Sequence, residues 1–182
     1  MLKLSDNPPM LLPTARTLSD LQGQWWVACT RGQHEKSLAR YLLAREVGYF
    51  LPMHKRVTFC RKVKRTSLLP LFPCYVFVCG DKHEREAALQ SNRIFRTIEV
   101  ANQAQLVAEL TAIETALAGN AELELYPSLA VGQCCRVIAG PFEGLEGIVV
   151  ERRSRARFVL RVGILGQGAQ MLLDGDLLQT VD

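Results

Sequence analysis

No apolar run in this 182-residue chain approaches the roughly 18–20 residues needed to cross a bilayer. The first 24 residues lack the continuous apolar core of a secretion signal, because Pro8, Pro9 and Pro13 interrupt them. A cytoplasmic protein with no membrane association is expected. Histidine is scarce: His34, His54 and His83 stand at no zinc-ligand spacing from the cysteines, and no two cysteines form a C-x-x-C pair. Neither a metal nor a cofactor is expected. There is no glycine-rich phosphate loop and no activated serine, and the nearest approach to a nucleophile pair is Cys29 near His34. No enzyme is expected. The chain is also too long and too poor in cysteine for a secreted disulfide scaffold. Cys74, Cys79 and Cys134 lie in apolar or strand-like runs, where thiols serve as filler.

Net charge is low too, at +4, but it is unevenly distributed. Residues 1–24 sum to zero, and residues 25–118 hold 14 basic and 8 acidic groups, or +6. Residues 119–128 contribute −2, and residues 129–182 hold six of each sign. A basic block beside a neutral one is the pattern of one domain that meets a polyanion and another that does not.

The periodicity divides the chain at the same places. Residues 1–23, with their Pro, Ser and Asp, show no sustained period and read as a flexible leader. Residues 25–30 are aromatic and β-branched and stop at Arg31-Gly32, a strand and turn. Leu38, Tyr41, Leu42 and Arg45 follow at helical spacing, with Gly48 expected to close that helix in the left-handed conformation. Val57, Phe59 and Val63 alternate through Lys55, Arg56, Arg61, Lys62, Lys64 and Arg65, which predicts a strongly basic β-hairpin. Residues 71–78 form the most apolar predicted strand. Helices are expected over 82–92 and over 103–118, where Leu106, Leu110, Ile113 and Leu117 recur at helical period, with a strand over 97–100 between them. The order βαββαβα over residues 24–118 is that of an α+β domain, an antiparallel sheet with helices against it. Residues 119–128 are polar and acidic and read as a linker. Residues 129–182 hold short apolar strands between glycine-containing or charged turns, the spacing of a small all-β barrel.

The sharpest local signal is Gly140-Pro141-Phe142-Glu143-Gly144-Leu145-Glu146-Gly147 between two of these strands. Gly140 supplies backbone freedom, Pro141 fixes φ, Phe142 is placed to pack under the barrel, and Gly144 and Gly147 permit a tight return. This stretch resembles the KOW motif of transcription elongation factors and several ribosomal proteins, an SH3-like barrel. Upstream, Trp25-Trp26-Val27-Ala28, the helix after Arg31-Gly32-Gln33, Phe50-Leu51-Pro52 and Pro70-Leu71-Phe72-Pro73-Cys74-Tyr75-Val76-Phe77-Val78 resemble the N-terminal domain of the NusG/RfaH family. Cys29 and Arg31 to Gln33, with Pro-Leu-Phe-Pro and Tyr-x-Phe-Val, are similar to the specialised RfaH-like paralogues. The resemblance covers residues 25–182.

That resemblance implies a transcription elongation or antitermination factor, present in the bacterial cytoplasm and on the nucleoid through RNA polymerase. It implies that an apolar face of the N-terminal domain binds the β′ clamp helices of the polymerase, with Trp26, Phe50, Phe72, Tyr75 and Phe77 at the matching positions. Tyr75 and Phe77 are two apart on one strand and so share a face. Binding there is expected to suppress pausing or termination. Arg31, His34, Lys36, Arg40, Arg93 and Arg96 are the implied contacts to the non-template DNA strand. The barrel is implied to recruit a protein, the ribosomal protein NusE or Rho, and its balanced charge agrees; a monomer is expected. Two features depart from the family pattern. Cys74 stands where Gly or Asn is common, and His83-Glu84-Arg85-Glu86 replaces the Thr-rich segment through which RfaH touches the β-subunit gate loop. RfaH also refolds its C-terminal domain into helices. Here Gly163, Gly166 and Gly168 each cost about 1 kcal/mol in a helix interior, so a stable barrel is expected. A ribosome-associated KOW-type RNA-binding protein is the alternative; it predicts a basic barrel and leaves the Pro-Leu-Phe-Pro segment unexplained.

Overall fold

The computed structural model describes residues 6–60, 63–128, 130–152 and 155–181. Arg61 and Lys62 of the expected basic hairpin lie outside the described residues. Two compact units divide the chain, Met1–Gln103 and Ala104–Asp182. The first is α+β with an antiparallel sheet, and the second is dominated by β-strands, which is the expected fold class.

In the first unit β1 (Gln24–Thr30), α1 (Glu35–Leu43), β2 (Gly48–Phe50), β3 (Met53–Cys60), β4 (Val63–Pro70), β5 (Tyr75–Gly80), α2 (Lys82–Leu89) and β6 (Ile94–Glu99) follow in order. Four of the strands form one antiparallel sheet in the order β2-β5-β1-β6. Side chains alternate across it. Trp26 and Ala28 of β1 and Val76 and Val78 of β5 face one way, into a core completed by Leu38 and Leu42 of α1 and Ala88 of α2. Val27, Phe50 and Phe77 are buried as well, in the alternate register. Among the described residues β3 and β4 pair only with each other, from Met53↔Pro70 to Cys60↔Val63, as the alternation predicts. Val57 and Phe59 on that hairpin are exposed.

Three local expectations are corrected. The residue that closes α1 in the left-handed conformation is Glu46 (φ 56°), not Gly48: the amides of Glu46 and Val47 donate back to the carbonyls of Leu43 and Leu42. Gly48 serves close approach instead, since a Cβ there would lie 2.7 Å from the Cys79 carbonyl oxygen. The apolar run over 71–78 is a strand only from Tyr75; residues 71–74 form a turn. Residues 6–21, read as a flexible leader, are packed on the sheet. Leu12 and Leu18 are buried, Leu11 bridges Phe50, the Leu51 amide donates to the Met10 carbonyl, and the Tyr49 hydroxyl donates to that of Pro9.

Cys74 carries φ 68°, a region that costs a residue with a Cβ about 1–2 kcal/mol. The turn is held because the buried Glu35 accepts the Cys74 amide at 2.7 Å while the Cys74 carbonyl accepts from Thr30. The conformation is thus one suited to Gly or Asn, with the strain borne by cysteine. Cys74→Gly relieves it, at the cost of a freer unfolded chain. The expected net gain is about 0.5–1 kcal/mol, read as a higher urea midpoint at unchanged slope.

The second unit contains α3 (Gln103–Ala118) from Ala104 onward, then β7 (Glu124–Tyr126), β8 (Gln133–Val137), β9 (Glu146–Arg152), β10 (Arg155–Val162), β11 (Gln167–Asp174) and β12 (Leu178–Thr180). Its sheet is antiparallel in the order β12-β8-β9-β10-β11-β7. The segment 119–128, read as a linker, therefore contributes a strand: β7 pairs with Gly168 to Gln170 of β11. Gly140 (φ 89°) and Gly144 (φ 86°) make the turn before β9, with the Gly144 amide bonded to the Val137 carbonyl. Phe142 packs over Gly119, where a Cβ would meet its ring at 2.7 Å, rather than under the sheet. Gly147 is bare because the Phe158 ring lies 2.7 Å from where its Cβ would stand.

Candidate functional site

Of the five aromatic residues singled out as anchors, four are interior. Trp26 is in the core shared with α1 and α2; the Arg85 guanidinium lies 5.9 Å from its ring, and its indole N–H has no partner among the described residues. Phe50, Phe72 and Phe77 gather in one cluster. The Phe77 ring is 6.5 Å from Phe50 and meets Phe72 edge-on at 6.1 Å. All three are at most 2% exposed. Tyr75 alone is half-buried. It precedes Phe77 by two residues on β5 and shares its face, at the end of the strand that opens onto the Cys74 turn.

The register gathers several exposed groups at that end of the sheet. Cys29 at the end of β1 is paired with Tyr75 on one side and Arg96 on the other. A bulge follows on the β6 side, between the Cys29–Arg96 and Thr30–Ile94 pairs, and it leaves Phe95 without a partner across the ladder. Phe95 is 75% exposed. Arg31 and His34, on the turn into α1, are exposed, as is Arg96. The Arg31 amide reaches the Arg93 carbonyl, which ties this turn to the start of β6. Exposed cations beside an exposed aromatic ring are what a single-stranded nucleic acid uses, one for phosphate and one for base stacking. Phe95 is not apparent from the sequence, because strand alternation does not reveal a bulge.

The other three cations expected to meet DNA already have partners. Arg93 donates from Nε to Ser37 Oγ at 2.6 Å and from Nη1 to the Ser91 carbonyl at 2.9 Å, and lies 5.3 Å from the Tyr41 ring. It braces α1 against β6. Lys36 donates to Asn7 Oδ1 at 2.6 Å and to the Leu68 carbonyl, and Arg40 donates to the Asp6 carbonyl at 2.6 Å. Burial, and secondarily the neighbouring Arg40 charge, push the Lys36 ammonium pKa below its ordinary value.

Cys29 is buried and His34 is exposed at the start of α1. Burial, helped by Glu84, pushes the Cys79 thiol up to about 11, so it is a poor nucleophile at neutral pH. No group of His, Cys, Asp and Glu among the described residues is arranged to hold a metal ion. In the second unit, Arg136 pairs with Glu146, Arg155 with Asp174 and Arg157 with Glu151. Paired arginines on the sheet surface leave little unbalanced positive field for a polyanion. Ile138 and Leu172 are exposed there.

A family model described as transcription termination factor nusG matches residues 23–115. Among solved structures, the chain is similar to Thermotoga maritima NusG, studied for its domain interaction. The TM-score is 0.50 at 19% identity, over 88% of this chain and 98% of that one. A structure of the MjSpt4:Spt5 complex aligns with a TM-score of 0.28 at 15% identity, over 87% and 97% of the two chains. No curated protein matches the sequence.

Proposed function

The chain belongs to the NusG family of transcription factors, and from that premise we propose that it is an elongation or antitermination factor of the RfaH-like kind. It acts by binding the β′ clamp helices of RNA polymerase through the Tyr75 end of its first sheet. Tyr75 is the one aromatic of the proposed anchor set that reaches the surface, and this observation carries the reading. The Phe50–Phe72–Phe77 cluster supports the strand from which it projects. Binding there stabilises the closed clamp and disfavours paused polymerase, by an amount limited to the difference in affinity for the two states. Arg31, His34, Phe95 and Arg96 lie at the same end, placed to hold the exposed non-template strand. The ion-paired arginines of the second unit favour a protein partner there over RNA, and by family resemblance that partner is NusE or Rho.

Tyr75→Ala tests the reading. A buried interface tyrosine is commonly worth about 2 kcal/mol, so capture of purified RNA polymerase is expected to weaken by roughly 30-fold. Because Tyr75 is half-exposed, the urea midpoint should move little. Undiminished polymerase binding by this variant overturns the clamp face.

A further inference from the structure

Residues 6–21 lie outside the stretch matched by the family model, yet they are built into the first unit. The inner part is anchored by apolar contact: Leu12 and Leu18 are buried, and Leu11 pairs with Phe50. The outer tip is different. Asp6 is exposed, and toward α1 the tip presents two oxygen acceptors. The Asn7 side-chain carbonyl takes a hydrogen bond from Lys36, and the Asp6 backbone carbonyl takes one from Arg40. Lys36 and Arg40 stand four residues apart, on one side of the helix. Lys36 donates to the Leu68 carbonyl as well, so the tip supplies one of its two acceptors and the single acceptor of Arg40, all of them uncharged oxygens; two adjacent cations so satisfied have the donor set of a phosphate site. A phosphodiester offers oxygen acceptors with a full negative charge, which adds ion-pair attraction to hydrogen bonds that the uncharged oxygens of the tip accept without it.

We propose that Asp6 and Asn7 are a displaceable cap over a phosphate site formed by Lys36 and Arg40, which opens when single-stranded nucleic acid reaches α1. The choice of nucleic acid as ligand rests on the function proposed above; the cap itself rests on the contacts. The buried Pro8 marks the hinge, where the stretch anchored by Leu11, Leu12 and Leu18 begins. The leader thus sets a threshold. Weak or transient anions leave the cap in place, and a strand already held at Arg31 and Arg96 displaces it.

The test compares the full chain with a variant that begins at Pro8, which keeps Leu11, Leu12 and Leu18, and with Asn7→Ala. Affinity for a single-stranded oligonucleotide is expected to rise about 3- to 10-fold in the shortened chain and less in Asn7→Ala. The slope of log affinity against log salt should steepen by up to about 1.4, the equivalent of two further phosphates on a single strand. Adding Lys36→Gln and Arg40→Gln to the shortened chain should abolish the gain. Equal affinity and slope with and without the tip overturns the cap, as does a gain that survives loss of both cations. Inorganic pyrophosphate, followed by amide shifts along α1, separates the two layers. A shortened chain that gains pyrophosphate binding there but binds no oligonucleotide keeps the cap and overturns the nucleic-acid reading.

Discussion

Phe77→Ala is expected to destabilise the first unit by about 3–5 kcal/mol, the range for removing a large aromatic side chain from a packed interior. Phe77 is fully buried on β5, which lies between β2 and β1, and its ring touches two others at 6.1 and 6.5 Å. Truncation leaves a cavity bounded by Phe50 and Phe72, and strand pairing on both sides limits how far the walls can close. The loss is a large share of the 5–15 kcal/mol typical of a whole domain. Phe77→Ala and Tyr75→Ala therefore separate two roles that the sequence places side by side. The first should lower the urea midpoint steeply and reduce polymerase capture only through loss of folded protein. The second should reduce capture with the fold intact. Phe77→Leu, which refills much of the space, should recover most of the stability. A Phe77→Ala protein as stable as wild type that no longer captures polymerase would make Phe77 a surface anchor.

The confusion between those roles shows where sequence reading reaches its limit. The i, i+2 spacing of Tyr75 and Phe77 correctly puts them on one face, because strand geometry is local. It does not say how deeply either lies, because burial depends on Phe50 and Phe72, which arrive from other segments. α3 was legible to the residue: Leu106, Leu110 and Ile113 recur at helical period and Gly119 follows. The alternation of Val57 and Phe59 likewise identified β3, although it suggested nothing of their exposure. The turn at residues 71–74 was not legible. An apolar run has no mark that separates strand from turn, and its conformation depends on Glu35, 39 residues earlier in the chain. Residues 6–21 were misread because Met10, Leu11, Leu12 and Leu18 follow no single period; they fill gaps along the sheet rather than one face of an element. Of the candidate cations, residue type and helical position picked out Lys36 and Arg40, but the neutral oxygens that cover them come from a segment with no sequence signal.

In the second unit, Phe158→Ala is expected to cost about 3–5 kcal/mol and to unfold most of the sheet. The reason lies in the glycine motif. Gly147 on β9 has no side chain, and the space is taken by the Phe158 ring from β10, its neighbour in the sheet. Ring and vacant Cβ position act as one device: the aromatic ring supplies the apolar area, and the glycine lets its outer edge approach the adjacent strand. Phe158 is fully buried, and Ala156 and Val159 beside it are equally buried. A unit of about 80 residues has a total stability of roughly 4–12 kcal/mol, so this single truncation removes a large part of it. Hydrogen exchange should register the change as lost protection at β9, β10 and β11, with β1 and β5 keeping theirs. Gly147→Ala approaches the same contact from the other side: its Cβ must displace the ring by several tenths of an ångström, which costs typically 1–3 kcal/mol. The pair should be strongly non-additive. Once Phe158 is alanine, the methyl at position 147 no longer meets the ring, and only the Val159 carbonyl oxygen, 2.8 Å from that Cβ position, still opposes it, so Gly147→Ala should cost less beside Phe158→Ala than it does alone. Additive losses would mean that Gly147 is needed for its close approach to the Val159 carbonyl and not for the ring.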